Sequence, residues 1–265
     1  MTIFLYCFTL YCLGGIGASV TYHRILTHRV ATLQPLFRKM LIVLALPSGT
    51  PVQWVGTHRQ HHQYVDKTGD PHSPLTNGFW YAHCGWYIQS RNVVSCIIYA
   101  SLGVFRIYFD GYWRPRSNQE FNHKAVDIQQ DIFCAWLSQK YVYQWVMWIY
   151  ATVLLGLSYL FLGRTGIFAA WITLVIIYNL GDSINSFAHL KGTLGSTWHR
   201  ARNNTFLGYV AFGEGWHANH HNHADHANLG EWDKKADLGY YFMRFFSFLG
   251  LLKFAKDPLS STTNH

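Results

Sequence analysis

The sequence predicts an all-α integral membrane protein whose polar, histidine-rich helices form a cap on one face of the bilayer. Three observations carry that expectation. Residues 2–23, 141–163 and 165–181 each run without a charged side chain, and about twenty residues at ~1.5 Å rise cross the ~30 Å hydrocarbon layer. Aromatic residues make up 17% of the chain and charged ones only 13%, which is about half the charge of a soluble domain. What lies between the apolar runs is basic and rich in histidine.

Taken in order, residues 2–23 carry no charge until Arg24. A signal peptide would need a basic start and a small-residue cleavage site. This segment has neither and runs into His23, so residues 1–22 are expected to be the first visible span. Residues 37–51 are apolar for about a dozen positions, too few to cross, and are broken by Arg38, Lys39, Pro47 and Gly49. They read as an interfacial helix. Residues 79–103, interrupted by Arg91 and Asn92, read as surface-lying or half-buried helices, and 106–140 as amphipathic and wet. Residues 141–186 form the expected transmembrane hairpin, turning at 163–166. Beyond Asp182 the chain is polar and histidine-rich to Asn228, and an amphipathic segment follows at 240–254. Residues 1–265 read as one domain, with no linker and no repeat beyond a duplicated histidine pattern.

Arg164 alone falls in the hairpin turn. The other twenty of the 21 Lys and Arg lie on the histidine side, which the positive-inside bias makes cytoplasmic. The pI of about 9.2 also suits an anionic lipid surface or a small acidic redox protein; nothing supports nucleic acid. Five cysteines (7, 12, 84, 96 and 134) are odd in number and lack CxxC spacing. They read as small apolar packing residues rather than disulfides or thiolate ligands.

The chemistry is concentrated in THRQHHQYVDKTGDPHSP, residues 57–74, where His58, His61 and His62 stand at i, i+3 and i+4. On a helix these offsets cover an arc of roughly 100°, which could present three nitrogens to one small volume. The pattern recurs as His217, His220 and His221, and a wider pair, His23 and His28, closes the first span. Eight imidazoles exceed one metal's needs, whereas two first-row metals sharing eight or nine fit. Imidazole alone does not choose among iron, copper, zinc and nickel. His23 and His28 are about 140° apart on an ideal helix. They meet one cluster only if the helix ends or bends, or else each serves a different metal.

YHRILTHR, HRQHHQYVDKTGDPHSP and GEGWHANHHNH resemble the three histidine boxes of the membrane-bound fatty acid desaturases, in particular the delta-9 acyl-CoA and acyl-lipid type. NGFWYAHCGW, INSFAH and ARNN are similar to that family as well, and the likeness covers about residues 15–230. It implies four spans in two hairpins, of which about three are visible here, starting at what corresponds to the second. It further implies a di-iron centre that uses O2 to place a cis double bond, at delta-9, in a saturated acyl chain. The implied ligands are His23, His28, His58, His61, His62, His189, His217, His220 and His221, with Asn185 holding a metal-bound water. The substrate would be an acyl-CoA, an acyl carrier protein conjugate or an acyl-lipid. No cytochrome-like or flavin segment lies within these residues, so a ferredoxin or cytochrome b5 type donor is expected, in a bacterial inner membrane ahead of the endoplasmic reticulum.

Ligating imidazoles usually donate their other N–H to a carboxylate or carbonyl, which makes Asp66, Asp70, Asp182 and Glu214 the supporting candidates. Arg59, Arg202, Asn203 and Asn204 are candidates for an acyl-donor headgroup. His72 and His83 read as hydrogen-bonding residues. His223 and His226 extend the third box, while His123, His199 and His265 read as surface residues. Trp54, Trp80, Trp86 and Trp216 are expected to wall the acyl tunnel, with Tyr11 and Cys7 near its closed end. Two other readings are open: a hydroxylase on the same scaffold, whose product would carry oxygen, and a non-redox metal-binding membrane protein. Against the second, the spans hold almost no polar residues that could form a path.

Overall fold

The computed structural model describes residues 1–114, 122–195 and 199–256. Two helical stretches are long and apolar enough to cross a membrane, Thr2–Thr27 and Lys140–Leu190, or up to four if two bent helix pairs each count as a span. Phe4, Leu160 and Phe161 on these stretches are more than 70% exposed, a surface suited to lipid rather than water.

The first stretch joins α1 (Thr2–Gly15) to a π-helical segment, Ile16–Thr27. Side chains favour the wider winding by reaching back five residues: Thr21 Oγ1 donates to Ile16 O at 3.0 Å and Thr27 Oγ1 to Tyr22 O at 2.8 Å. There follow β1 (Ala31–Leu33), α2 (Pro35–Ala45) and α3 (Pro51–Tyr64). Thr50 caps α3 by accepting from Gln53 N, and Pro51 opens it, both favoured at a helix start. Four shorter helices come next: α4 (Pro74–Asn77), α5 (Phe79–His83), α6 (Val93–Ser101) and α7 (Val104–Trp113). The last two meet at 119° across Gly103, whose φ of 55° suits glycine.

After α8 (Val126–Gln130) and α9 (Ile132–Leu137), α10 occupies Lys140–Leu190. Its 51 residues would reach about 76 Å if straight. It breaks instead at Gly163, which is non-helical with φ 61° and ψ −148°. The ten-residue α7 touches both halves: Tyr108 O accepts from Trp148 Nε1, and Arg106 pairs with Asp182. Helix α10 therefore doubles back, as a hairpin around residue 163.

The remaining elements are β2 (Thr193–Leu194), β3 (Arg202–Asn203), α11 (Thr205–Val210), α12 (His217–Asn222), α13 (Leu238–Phe248) and β4 (Leu252–Phe254). The all-helical expectation thus needs two small additions, the antiparallel ladders β1–β4 and β2–β3. In the first, Ala31 and Leu252 are buried while the paired Thr32 and Lys253 are exposed, the period-two pattern that a half-buried strand requires.

Residues 106–140 are not uniformly wet. Arg106, Asp110 and Arg114 are at most 2% exposed. Opposite charges four apart on one helix face neutralise each other, and Asp182 completes the set at 2.7 Å from Arg106.

Candidate metal centre

Nine imidazoles converge in two groups, each with its ligand atoms within 4.8 Å of one another. His23, His28, His58, His62 and His220 form one, and His61, His189, His217 and His221 the other. Within the first, Nε2 atoms approach at 2.9 Å (His23–His220), 3.1 Å (His58–His28), 3.0 Å (His62–His58) and 2.8 Å (His62–His220). Within the second the separations are 3.2 Å (His61–His221), 3.0 Å (His189–His217) and 3.1 Å (His221–His217). Ligands ~2.1 Å from a metal are roughly 3.0 Å apart at right angles and roughly 3.4 Å apart in a tetrahedron. Both spacings suit imidazoles that share one ion, and they do not choose the ion.

The π-helical winding resolves the first box. Its i→i+5 bonding stacks residue 28 close to residue 23: His28 N donates to His23 O at 3.2 Å, and the two rings lie 4.9 Å apart. Both belong to one group. The arc on α3, by contrast, does not serve a single volume. His58 and His62 share a face, while His61, turned about 60° the other way, points to the second group. Helix α12 divides in the mirror sense, with His217 and His221 together and His220 across.

Every close imidazole contact within the groups uses Nε2, leaving Nδ1 for support. Glu214 takes His23 Nδ1 at 2.6 Å, Asp70 takes His61 Nδ1 at 3.0 Å, and Asp66 takes His189 Nδ1 at 3.0 Å. Burial alone would raise these carboxyl groups, but the adjoining imidazoles hold all three below the usual carboxylate range, with Arg24 helping at Glu214. Burial followed by mutual repulsion among neighbouring imidazoles pushes His28, His217, His220 and His221 well below the usual histidine value. They are neutral, with lone pairs available to a metal.

Sequence reasoning missed Arg24, which is 1% exposed. It donates to Glu214 at 2.7 Å and to Asp237 at 2.9 Å, joining the C-terminal α13 to the first box. Its signal was a lone cation beside His23 at the end of an apolar run. Asp182 supports no imidazole in either group; it pairs with Arg106. Arg59 binds Asp127 and the carbonyls of Leu26 and Thr27. Arg202 donates to Gly192 O, Asn203 joins Asn219 and Asp233, and Asn204 caps α11.

His72 lies beside Asp70, and burial lowers its pKa to about 3. His83 contacts Ser186 and Asn179. His223 and His226 pack on Trp232, apart from both groups. His123 is exposed. His199 is buried, not a surface residue, because its ring lies 5.3 Å from that of His221 and meets Asn222. His265 falls outside the described residues.

A cavity reaches the centre and is lined by His23, His58, His61 and His217, with Asn185 on its wall. Tyr11 lines it, with its hydroxyl on Val210 O at 2.8 Å, and Leu10 lines it where Cys7 was expected. Trp54 and Trp86 also line it. Trp80 packs instead near Cys84, and Trp216 is held against Gly208 and Ala236.

The sequence profile of the fatty acid desaturase family matches residues 2–252. Delta-9 acyl-lipid desaturase 2 of Arabidopsis thaliana is 32% identical over 95% of this chain and 74% of its own length. The acyl-CoA C20 delta5-desaturase of Anemone leveillei is 31% identical over 95% of this chain and 73% of its own. The chloroplastic palmitoyl-monogalactosyldiacylglycerol delta-7 desaturase of Arabidopsis thaliana is 28% identical, over 95% and 61% respectively.

Proposed function

The chain belongs to the fatty acid desaturase family, and from that premise we propose that it inserts a cis double bond at the ninth carbon of a saturated acyl chain. The observation that carries this reading is the meeting of two imidazole groups, one buried and one partly buried, with one largely apolar cavity. The residues present fit a pair of metals, which the family likeness makes iron. His23, His28, His58, His62 and His220 would hold one and His61, His189, His217 and His221 the other, with Asn185 supporting a water at the second. When bound, the irons supply the O2 chemistry that removes two hydrogens from the acyl chain.

The chain's own residues do the positioning. Glu214, Asp70 and Asp66 accept from Nδ1 and so turn each Nε2 lone pair inward. The apolar wall excludes water and fixes which carbon pair lies over the centre. The relatives named for delta-9, delta-5 and delta-7 products differ little in identity, so the ninth-carbon assignment rests on the first of them and on the motif resemblance. Their acyl-lipid and acyl-CoA names support ester or thioester carriers. The basic excess on the histidine side supports a cytoplasmic active face and a separate acidic electron donor of the ferredoxin or cytochrome b5 type. A hydroxylase is not favoured, since the relatives carry desaturase names.

The test is expression in a cell lacking monounsaturated fatty acids, with products read by mass spectrometry. A single new double bond nine carbons from the carboxyl end is expected. An oxygenated product, or none, would overturn the reading.

A further inference from the structure

Two series of neighbouring rings lead from the imidazole groups to oxidisable side chains among the described residues. One runs from His58 to Trp54, 5.1 Å between ring centres, and on to Tyr22 at 5.7 Å. It stops there, because the Tyr22 hydroxyl donates to Gly49 O, a backbone carbonyl that does not take up a proton. The other runs from His61 to His72 at 4.5 Å, to Trp86 at 5.0 Å, to Tyr87 at 3.8 Å and to Tyr99 at 6.2 Å. Tyr99 is buried, and its hydroxyl donates to Asp110 Oδ1 at 2.6 Å, the length of a charge-assisted bond.

Among aromatic side chains, tryptophan and tyrosine give up one electron most readily, and the electron hole rests where a proton can leave. Trp86 Nε1 is buried with no hydrogen-bond partner among the described residues. An oxidised indole there would stay a cation in an apolar wall, which is costly. The Arg114 guanidinium lies 3.7 Å from the Tyr87 ring centre and that of Arg106 lies 4.3 Å from Tyr99, and like charges repel strongly in a buried place. Neither phenol can therefore lose an electron without its proton. Tyr87 has Asp182 as acceptor and Tyr99 has Asp110. Tyr87 lines the cavity and Tyr99 does not, so a radical on Tyr99 is kept away from an acyl chain.

We propose that Trp86, Tyr87 and Tyr99 form a redox ladder that drains one oxidising equivalent from the metal pair when O2 reacts there with no acyl chain in place. The proposal rests on the two-metal reading and adds an activity to it, the reduction of O2 to water. Two electrons from the donor come first. One electron then passes from Tyr99 through Tyr87 and Trp86 to the metals, and the Tyr99 phenolic proton moves to Asp110 Oδ1, leaving a neutral phenoxyl radical. The donor's third electron quenches the remaining equivalent at the metals. Its fourth returns along the ladder to Tyr99, and Asp110 gives the proton back. In sum O2 takes four electrons from the donor and four protons from solvent and leaves as two waters. The imidazoles are thereby spared oxidation.

The test uses reduced, iron-loaded protein in nanodiscs of dioleoyl lipid, which offers no saturated chain. The protein is mixed with O2, freeze-quenched and read by electron paramagnetic resonance. The wild type should give a tyrosyl radical whose signal narrows when the protein carries ring-deuterated tyrosine. Tyr99→Phe should lose the signal and Trp86→Phe should reduce it to background, each at the wild-type iron content. Tyr22→Phe, at the end of the other series, should leave it unchanged. Over repeated cycles without substrate, peptide mass spectrometry should find the metal-binding histidines oxidised several-fold faster in Tyr99→Phe. No tyrosyl radical in the wild type, a signal that survives in Tyr99→Phe, or equal histidine oxidation would each overturn the ladder. Double-bond formation by the wild type is assayed separately. Desaturation without the radical refutes the ladder alone, and the radical without desaturation refutes the desaturase reading alone.

Discussion

The five-imidazole group draws His23 from the π-helical segment and His28 from its C-cap, whereas the four-imidazole group draws His189 from the end of α10. The other imidazoles come from α3 and α12 in exchanged proportions: α3 gives two to the first group and one to the second, and α12 the reverse. An HxxHH stretch on a helix is thus a bridge between two sites, since i and i+4 share a face and i+3 looks aside. The groups also differ in closure. Among the described residues the second is wholly buried, with two of its imidazoles on carboxylates. The first has three half-buried members, His28, His58 and His62. Asn185 lines the cavity one turn from His189, a member of the smaller group.

The largest effect should come from removing one member of each group. His62→Ala and His221→Ala are each expected to abolish desaturation while the chain stays membrane-inserted, because insertion depends on the apolar runs and not on the boxes. Exposed His123→Ala is the control and should be near neutral. Retained activity in either ligand variant would remove that residue from its group.

Next in size are the carboxylates. Asp70→Asn and Glu214→Gln should each lower activity or metal retention by about 10- to 100-fold, with Asp70 acting on the four-imidazole group and Glu214 on the five. If both variants disturb the same metal signal in X-ray absorption, the division is wrong.

How much of this was legible in advance differs between the groups. The eight boxed histidines declared themselves by spacing, and His189 by family resemblance alone. The convergence of His23 with His28 did not, because ideal α-geometry separates them and the π-helical winding is stabilised by Thr21, Thr27 and tertiary packing. Arg106 read as wet because its partner Asp182 lies 76 residues away in sequence. The ladder β1–β4 was hidden for the same reason, since its strands are only three residues each and far apart in the chain.

Smaller effects probe the periphery. Tyr11→Ala should raise the share of eighteen- over sixteen-carbon products without moving the double bond relative to the carboxyl end. An unchanged ratio in a folded, active variant would free Tyr11 of any gating role. At Asp127, partial burial is outweighed by its bonds to Arg59 and Arg29, so its pKa falls to about 2. A lowered folded pKa contributes stability above the ordinary value of about 3.9, lost as pH falls from there towards 2. Asp127→Asn should therefore flatten the acid limb of a thermal-stability profile only in that window, whereas an effect at pH 7 to 8 alone would contradict the pairing.

The division into two groups is tested most directly by the iron-to-protein ratio after anaerobic loading. Two irons per wild-type chain are expected, falling towards one in both His61→Ala and His62→Ala. One iron per wild-type chain, or loss of both from each variant, would contradict two separate sites sharing one helix.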